Sequence, residues 1–250
     1  DGGYGWGLEP DLRAAESQPG GALHAFEVFE DAAPTITPRA AELCDWLTSV
    51  TLGDGGLPFA LPVADATATA PFWAGADHRS SSLHITTAVT AAAWRVARHD
   101  PAVAAHQWLD RATRYCLDTM AARPAAEHAI ELRFMLDLLD TLVDGPGPPE
   151  AEALLARFAA TLPASAELSV GGGLEDEKLR PLDLSPWPDR PLRRHIAPRS
   201  STSTSTAWPG ANDRTAAGTS TSGRTPRRPP WSGAATPRSG PSPSCAPTIA

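Results

Sequence analysis

Three residues capable of acid–base chemistry share a local pattern in this 250-residue sequence. His24, His84 and Glu131 each end a tripeptide of a small residue, an aliphatic residue and then His or Glu. A neutral histidine near a carboxylate can both accept and donate a proton, which suits general acid–base catalysis. We expect these three side chains to occupy equivalent places near the starts of alternate helices and to ring a central cavity. The alternative is that they cap helices or join neighbouring ones by hydrogen bonds.

Two loops carry paired carboxylates. Glu9 and Asp11 lie in one of them, and Glu175 and Asp176 lie in the other, in each case after glycine residues. Two carboxylates facing one cavity are what a glycoside hydrolase uses as acid and as base or nucleophile. The alternative is that they cap the next helix or pair with nearby arginines.

Aromatic residues lie beside the glycine-rich turns and in the following loop. The candidates for lining an apolar or sugar-binding pocket are the aromatic residues Tyr4, Trp6, Phe59, Phe72 and Trp73, together with Glu9 and Asp11. The alternative interpretation is that these rings fill the space between helical hairpins.

The sequence offers little for a metal or cofactor. Cys44, Cys116 and Cys245 are too few and too scattered for a disulfide framework or a zinc knuckle, and we expect the first two to be small buried hydrophobic residues. The HExxH, CxxC and GxxxxGK[ST] motifs do not occur in the sequence. We therefore expect no metal and no cofactor.

The spacing of apolar residues predicts helices throughout residues 18–162. The predicted helices run over about 18–31, 38–50, 81–98, from Pro101 through Thr119, 125–143 and 150–162. Only the short piece 57–61 alternates as a strand would. The body is therefore predicted to be all-α.

A repeat emerges when the connections between helices are compared. Asp-Gly-Gly occurs at Asp1 and again at Asp54, 53 residues later, with an aromatic residue close behind each time. Each copy precedes a loop and then a pair of helices. Such a period is typical of a ring or solenoid of helical hairpins, in which one set of helices lines the inside and the other the outside.

These turns resemble the repeats of the terpenoid cyclase and protein prenyltransferase superfamily. The segments DGGYGWGLEPDLR, ALHAFEVFE, DGGLPFALP, PFWAGA and GGLEDEKLRPLD also resemble uncharacterised actinobacterial proteins described as prenyltransferase-like. The resemblance covers about residues 1–198 and implies an α/α toroid, here incomplete. The D-x-D-D and D-D-x-x-D motifs of the cyclases and synthases do not occur in this sequence, so the family's chemistry is not carried over.

The composition changes at residue 198. Residues 1–198 hold 28 Asp or Glu against 15 Lys or Arg, whereas residues 199–250 hold one acid, six Arg and none of the 25 leucines. We expect 199–250 to be a low-complexity tail without structure, translated out of frame, and the chain to be a fragment truncated at its N-terminus.

Several partners are excluded by these patterns. No run of about 18 apolar residues predicts a membrane span, and the acidic body and the dispersed tail arginines argue against nucleic acid. The few cysteines indicate a reducing, cytoplasmic setting, and no protein partner can be inferred.

Three functions remain open. The first is a prenyltransferase-like or cyclase-like protein whose cavity takes an apolar, isoprenoid-type ligand. The second is a carbohydrate hydrolase or lyase on an α/α barrel, and the third is a non-catalytic binding or scaffold protein.

Overall fold

The computed structural model describes residues 1–171 and 176–196, and helix predominates in them. The helices are α1 (Pro19–Asp31), α2 (Pro38–Val50), α3 (Pro71–Ala74), α4 (Leu83–Ala97), α5 (Pro101–Ala104), α6 (Gln107–Ala122), α7 (Ala129–Val143), α8 (Glu150–Ala159) and α9 (Pro181–Leu184). Strands β1 (Leu168–Ser169) and β2 (Lys178–Leu179) pair antiparallel, and a 3-10 turn covers Pro191–Arg194. The expectation of an all-α body is confirmed for these residues.

The helices begin where the sequence provides a cap. Thr37 Oγ1 accepts the N–H of Arg39 at the start of α2, and Ser82 Oγ accepts the N–H of Ile85 at the start of α4. Proline occupies the first helical position in α1, α2 and α5, where its missing N–H costs nothing. Pro19 at the start of α1 and the Thr37–Pro38 pair at the start of α2 are the signals from which these two starts were predicted.

The six longer helices form two rows. In one row α4 lies between α1 and α7, and in the other α6 lies between α2 and α8. Each helix of the second row also packs on one of the first, so that α1 pairs with α2, α4 with α6, and α7 with α8. Helices that follow one another along the chain therefore alternate between the rows.

The core lies between the rows. Phe26, Leu47 and Trp108 are fully buried in one apolar cluster, and Leu136 and Phe158 are fully buried in the other. Phe26 and Trp108 stack with 6.4 Å between their ring centroids and so join the two rows.

The structure corrects the predicted bounds of the fourth helix. Asp100 does cap a helix, as expected, but that helix ends at Ala104, and a separate helix begins at Gln107. His106 caps the second start, because its Nδ1 accepts the N–H of Trp108 at 3.2 Å. A histidine cap is a weak sequence signal, which is why the break was missed.

Other details also differ from expectation. The piece 57–61 is not a strand, although Pro58 forms an isolated bridge with Ser81. The helix predicted over 125–143 starts at Ala129 as α7, and the helix predicted over 150–162 ends at Ala159 as α8. The predicted tail, 199–250, lies outside the described residues, as does Glu175.

The two Asp-Gly-Gly segments make matching contacts. Asp1 Oδ1 accepts the N–H of Gly3 and the hydroxyl of Ser17, at 2.9 and 2.8 Å. Asp54 Oδ1 accepts the N–H of Gly56 and the hydroxyl of Ser81, at 3.1 and 2.6 Å. The first glycine of each segment has φ near +90°, a conformation that glycine adopts at least cost. Each aspartate thus ties its turn to a serine just before a helix of the first row.

A buried ion pair joins the helices of the first row. Arg95 on α4 donates through Nε to Glu30 on α1 at 2.8 Å and through NH1 to Asp137 on α7 at 2.9 Å. The Arg95 side chain is only 13% exposed. One guanidinium therefore holds three neighbouring helices in register.

Among the described residues, no helix combines the length and the hydropathy needed to cross a bilayer.

Candidate functional site

Ring contacts connect the loop before α4 with the start of α4. Phe59 stacks on Trp73 with 4.2 Å between the centroids and 10° between the planes. Trp73 is in turn 5.7 Å from Phe72, and Phe59 is 5.4 Å from His84. The near-parallel rings of Phe59 and Trp73 are therefore in direct stacking contact.

The contacts continue onto α7. His84 stacks on Phe134 at 5.1 Å and meets His128 edge-on at 5.4 Å. The guanidinium of Arg133 lies 4.8 Å from the centre of the Phe134 ring. We call the six rings Phe59, Phe72, Trp73, His84, His128 and Phe134 the aromatic cluster.

The first turns of helices α3, α4 and α7 position most of these rings. His84 is the second residue of α4, and His128 is the cap of α7, where its Nδ1 accepts the N–H of Glu131 at 3.2 Å. Phe134 lies about one and a half turns after Ala129, the first residue of α7, on the side that packs against α4. Phe72 and Trp73 come from the one-turn helix α3, which Pro71 starts.

The cluster is partly open to solvent. Phe72 is 58% exposed, Trp73 is buried, and Phe59, His84 and Phe134 are half-buried. Large apolar rings that remain accessible next to one another mark a surface on which an apolar group can bind.

His84 is uncharged at neutral pH. Burial, with smaller contributions in the same direction from the charges of His128 and Arg133, lowers its pKa to about 4. A neutral imidazole offers one donor and one acceptor and can stack as an aromatic ring. The interior of the cluster therefore carries little charge of its own.

A second group of residues surrounds His24 on α1. Its Nδ1 lies 2.9 Å from Glu27 Oε2, and its Nε2 lies 3.2 Å from Glu9 Oε2. Hydrogen bonds to Glu27 and Glu9 raise the pKa of His24 to about 9, against the opposing effect of burial. His24 is therefore an imidazolium between two carboxylates at neutral pH. Glu9 lies over Gly20 to reach His24. A Cβ at position 20 would lie 3.3 Å from Glu9 Cγ and crowd it.

The predicted site residues thus separate into groups. His84, Phe72 and Trp73 meet in the aromatic cluster, and His24 and Glu9 meet around the imidazolium. They therefore form two separate candidate sites.

The expected equivalence of the three acid–base residues is not met. His24 is the sixth residue of α1, His84 the second of α4 and Glu131 the third of α7. The shared tripeptide therefore falls at different distances from the three caps. Glu131 closes the start of its own helix, because its Oε1 accepts the N–H of Glu127 at 2.8 Å and lies 3.5 Å from Arg123.

The remaining predicted residues lie at the surface. Trp6 is 84% exposed and has a left-handed φ of +57°. The Asp11 side chain is exposed, and its carbonyl accepts the N–H of Ala70 at 2.8 Å, which pairs its loop with the segment leading to α3. Asp176 is exposed, and Glu175 lies outside the described residues.

The cysteines in the described residues are buried and unreactive in character. Burial raises the pKa of the Cys44 thiol to about 12 and also raises the pKa of Cys116. Within residues 1–171 and 176–196, no three His, Cys, Asp or Glu side chains are grouped so that they could hold a metal ion.

A groove on the second row is a weaker candidate. Asp54, Arg111, Arg114 and Tyr115 line part of it. Arg111 donates to the carbonyls of the loop at 52–53, and Arg114 pairs with Glu150, so both guanidinium groups are already engaged.

Sequence reasoning missed Phe134 and His128 as parts of one site. Phe59 was among the expected pocket aromatics because it follows the second Asp-Gly-Gly turn. The contacts across α4 and α7 depend on packing that no local pattern encodes.

Comparison with known proteins identifies no relative: no family model, no curated protein and no solved structure matches the chain.

Proposed function

We propose that this chain binds a small, mainly apolar molecule on the aromatic cluster, within an α/α toroid of the terpenoid cyclase and prenyltransferase type. The observation that supports it best is the continuous run of ring contacts from Phe72 through Trp73, Phe59 and His84 to Phe134, at a surface that remains partly open. Aromatic faces of this kind bind apolar groups by area and shape.

The arrangement of helices supports the scaffold. Successive long helices alternate between two rows, as the inner and outer helices of a toroid do. The matching turns at Asp1 and Asp54 are consistent with a repeated unit. In such a scaffold the starts of α4 and α7 belong to the inner row, so a ligand on the cluster would lie at one end of the central cavity.

The chemistry of the cluster favours binding over proton transfer. His84 is neutral, and burial makes its protonation unfavourable at neutral pH. The acid-rich motifs of the family are not part of this sequence. The proposal therefore concerns ligand binding by an isoprenoid-type or similarly apolar molecule.

A second candidate function rests on His24. A carbohydrate hydrolase or lyase needs a proton donor beside a carboxylate, and the imidazolium of His24 lies 3.2 Å from Glu9. This alternative predicts that a sugar, rather than an apolar molecule, is bound near α1.

The two candidates are separated by binding measurements on the full 250-residue chain. Farnesol serves as the apolar probe and cellobiose as the sugar probe. We expect farnesol to bind and Phe134→Leu to weaken it about fivefold, as the loss of one aromatic contact predicts. Phe29→Leu is the matched control, because Phe29 is a half-buried helical ring outside the cluster.

Three results decide the outcome. Farnesol binding that is equally sensitive to Phe29→Leu and Phe134→Leu contradicts the proposed site. Cellobiose binding that His24→Gln abolishes favours the carbohydrate function instead. Binding of neither probe leaves the scaffold interpretation.

A further inference from the structure

We propose that the ligand of the aromatic cluster carries a hydrogen-bond acceptor, such as a carbonyl, ether or hydroxyl oxygen, to which the indole N–H of Trp73 donates. This inference rests on the proposed function, because it specifies the ligand of the same site. It excludes a pure hydrocarbon as the preferred ligand.

The first observation is an unpaired donor inside the cluster. Trp73 is only 8% exposed, and its Nε1 is buried with no acceptor among the residues that the structure describes. The ring itself is fixed, because it stacks on Phe59 at 4.2 Å and touches Phe72 at 5.7 Å. A buried indole N–H normally finds an acceptor, and leaving it unpaired is costly.

The same segment holds a second unpaired polar atom. The hydroxyl of Thr69, four residues before Trp73, is also buried without a partner in the described part of the chain. Buried polar atoms without partners are few in folded proteins, so two in five residues are an unusual concentration. Both flank the backbone that pairs with the loop of Asp11.

The electrostatic surroundings also favour an acceptor. The 15-residue helices α4 and α7 both begin at the cluster, and the N-terminus of a helix carries a partial positive charge. The guanidinium of Arg133 adds a full positive charge beside Phe134. A ligand oxygen with partial negative charge is stabilised by this field, whereas a ligand that only donates hydrogen bonds is not.

A matched set of small rigid probes tests the inference. Indane and 1-indanone have nearly the same shape, but only 1-indanone carries a carbonyl acceptor, and indole provides a ring with a donor and no oxygen. Affinities are measured on the full chain by NMR titration, with the Trp73 indole resonance assigned in the wild type from its NOEs to the Phe59 and Phe72 rings. We expect 1-indanone to bind about tenfold more tightly than indane or indole, the ratio for one hydrogen bond to a previously unpaired donor.

Two variants locate the donor. Trp73→Phe should remove the preference for 1-indanone while indane still binds, and Trp187→Phe, at a tryptophan that is 44% exposed, should leave it unchanged. If Trp73→Phe does not fold, the wild type still decides, since 1-indanone but not indane should move the Trp73 indole proton downfield.

The results distinguish the two proposals. Equal binding of indane and 1-indanone overturns the acceptor inference and leaves the proposed binding function intact. A preference for 1-indanone that Thr69→Val removes and Trp73→Phe does not also overturns it, because the donor is then the threonine. Farnesol binding without binding of 1-indanone overturns this inference alone, whereas failure of farnesol and of all three small probes to bind overturns the proposed function and this inference with it.

Discussion

Replacing Arg95 with methionine should destabilise the fold by ~2–3 kcal/mol, because it leaves two carboxylates without their common partner. Methionine keeps most of the apolar stem of arginine, so the change mainly removes the charge. Arg95 is 13% exposed and contacts Glu30 and Asp137 at 2.8 and 2.9 Å. The three residues belong to α1, α4 and α7, so the loss falls on the whole first row of helices.

The magnitude follows from how much solvent each group retains. Removing one partner of a fully buried ion pair costs ~3–5 kcal/mol. Glu30 and Asp137 are 27% and 38% exposed, so water still stabilises part of their charge, and we take a lower figure than that range. The surface pair of Arg114 with Glu150, 61% and 43% exposed, should contribute only ~0–1 kcal/mol.

The assay is urea denaturation at neutral pH, followed by far-UV circular dichroism on the full chain. Arg114→Met is the matched control, since it removes the same guanidinium group from the exposed ion pair between Arg114 on α6 and Glu150 on α8. A difference between the two variants of less than ~1 kcal/mol would refute the argument that burial makes the Arg95 pair the stronger one. Asp137→Asn added to Arg95→Met should recover part of the loss, because it removes one of the orphaned charges.

Three further predictions concern titration and close packing. Because the folded pKa of His24 is about 9, above the ordinary histidine pKa of 6.5, the stability that it contributes should be complete below pH 6.5 and lost as the pH rises through 9. In urea titrations the wild type should lose more stability over that range than His24→Gln. The folded pKa of His84, about 4, lies below 6.5, so its contribution should be present above pH 6.5 and lost as the pH falls towards 4, a loss that His84→Phe should not share. Gly56→Ala should destabilise the fold by ~1–3 kcal/mol, because its Cβ would lie 2.5 Å from Ser81 Cβ, whereas Gly53→Ala, with nothing within 4 Å, should be close to neutral in the same assay.

The sequence was sufficient for those parts of the fold that depend on local chemistry. Thr37 and Ser82 are strong caps, and Pro38 fits the first position of a helix, so these starts could be predicted. The apolar spacing correctly placed Leu43 and Leu47 in the core, since a helix repeats its faces every 3.6 residues.

The site was harder to predict because it depends on contacts between distant segments. The tripeptide pattern set His24 and His84 in equivalent places, but a helix rises about 1.5 Å per residue, so a difference of four positions from the cap moves a side chain about 6 Å along the helix axis. Phe134 comes 50 residues after His84 in the chain, and only the packing of α4 on α7 brings the two rings to 5.1 Å. The ion pairs of Arg95 were unpredictable for the same reason, because Glu30 and Asp137 lie 65 and 42 residues away in the chain.

The second Asp-Gly-Gly turn gives a structural reason for the position of the aromatic cluster. Asp54 accepts the Ser81 hydroxyl at 2.6 Å, and the Leu57 carbonyl accepts the N–H of Ser82 at 2.8 Å. The turn is therefore fastened to the start of α4 at two points. Phe59 is two residues beyond Leu57, and His84 is two residues beyond Ser82. Fastening the two segments therefore sets the 5.4 Å distance between the Phe59 and His84 rings. A change in the turn should weaken ligand binding and stability together, even though its own residues need not touch the ligand.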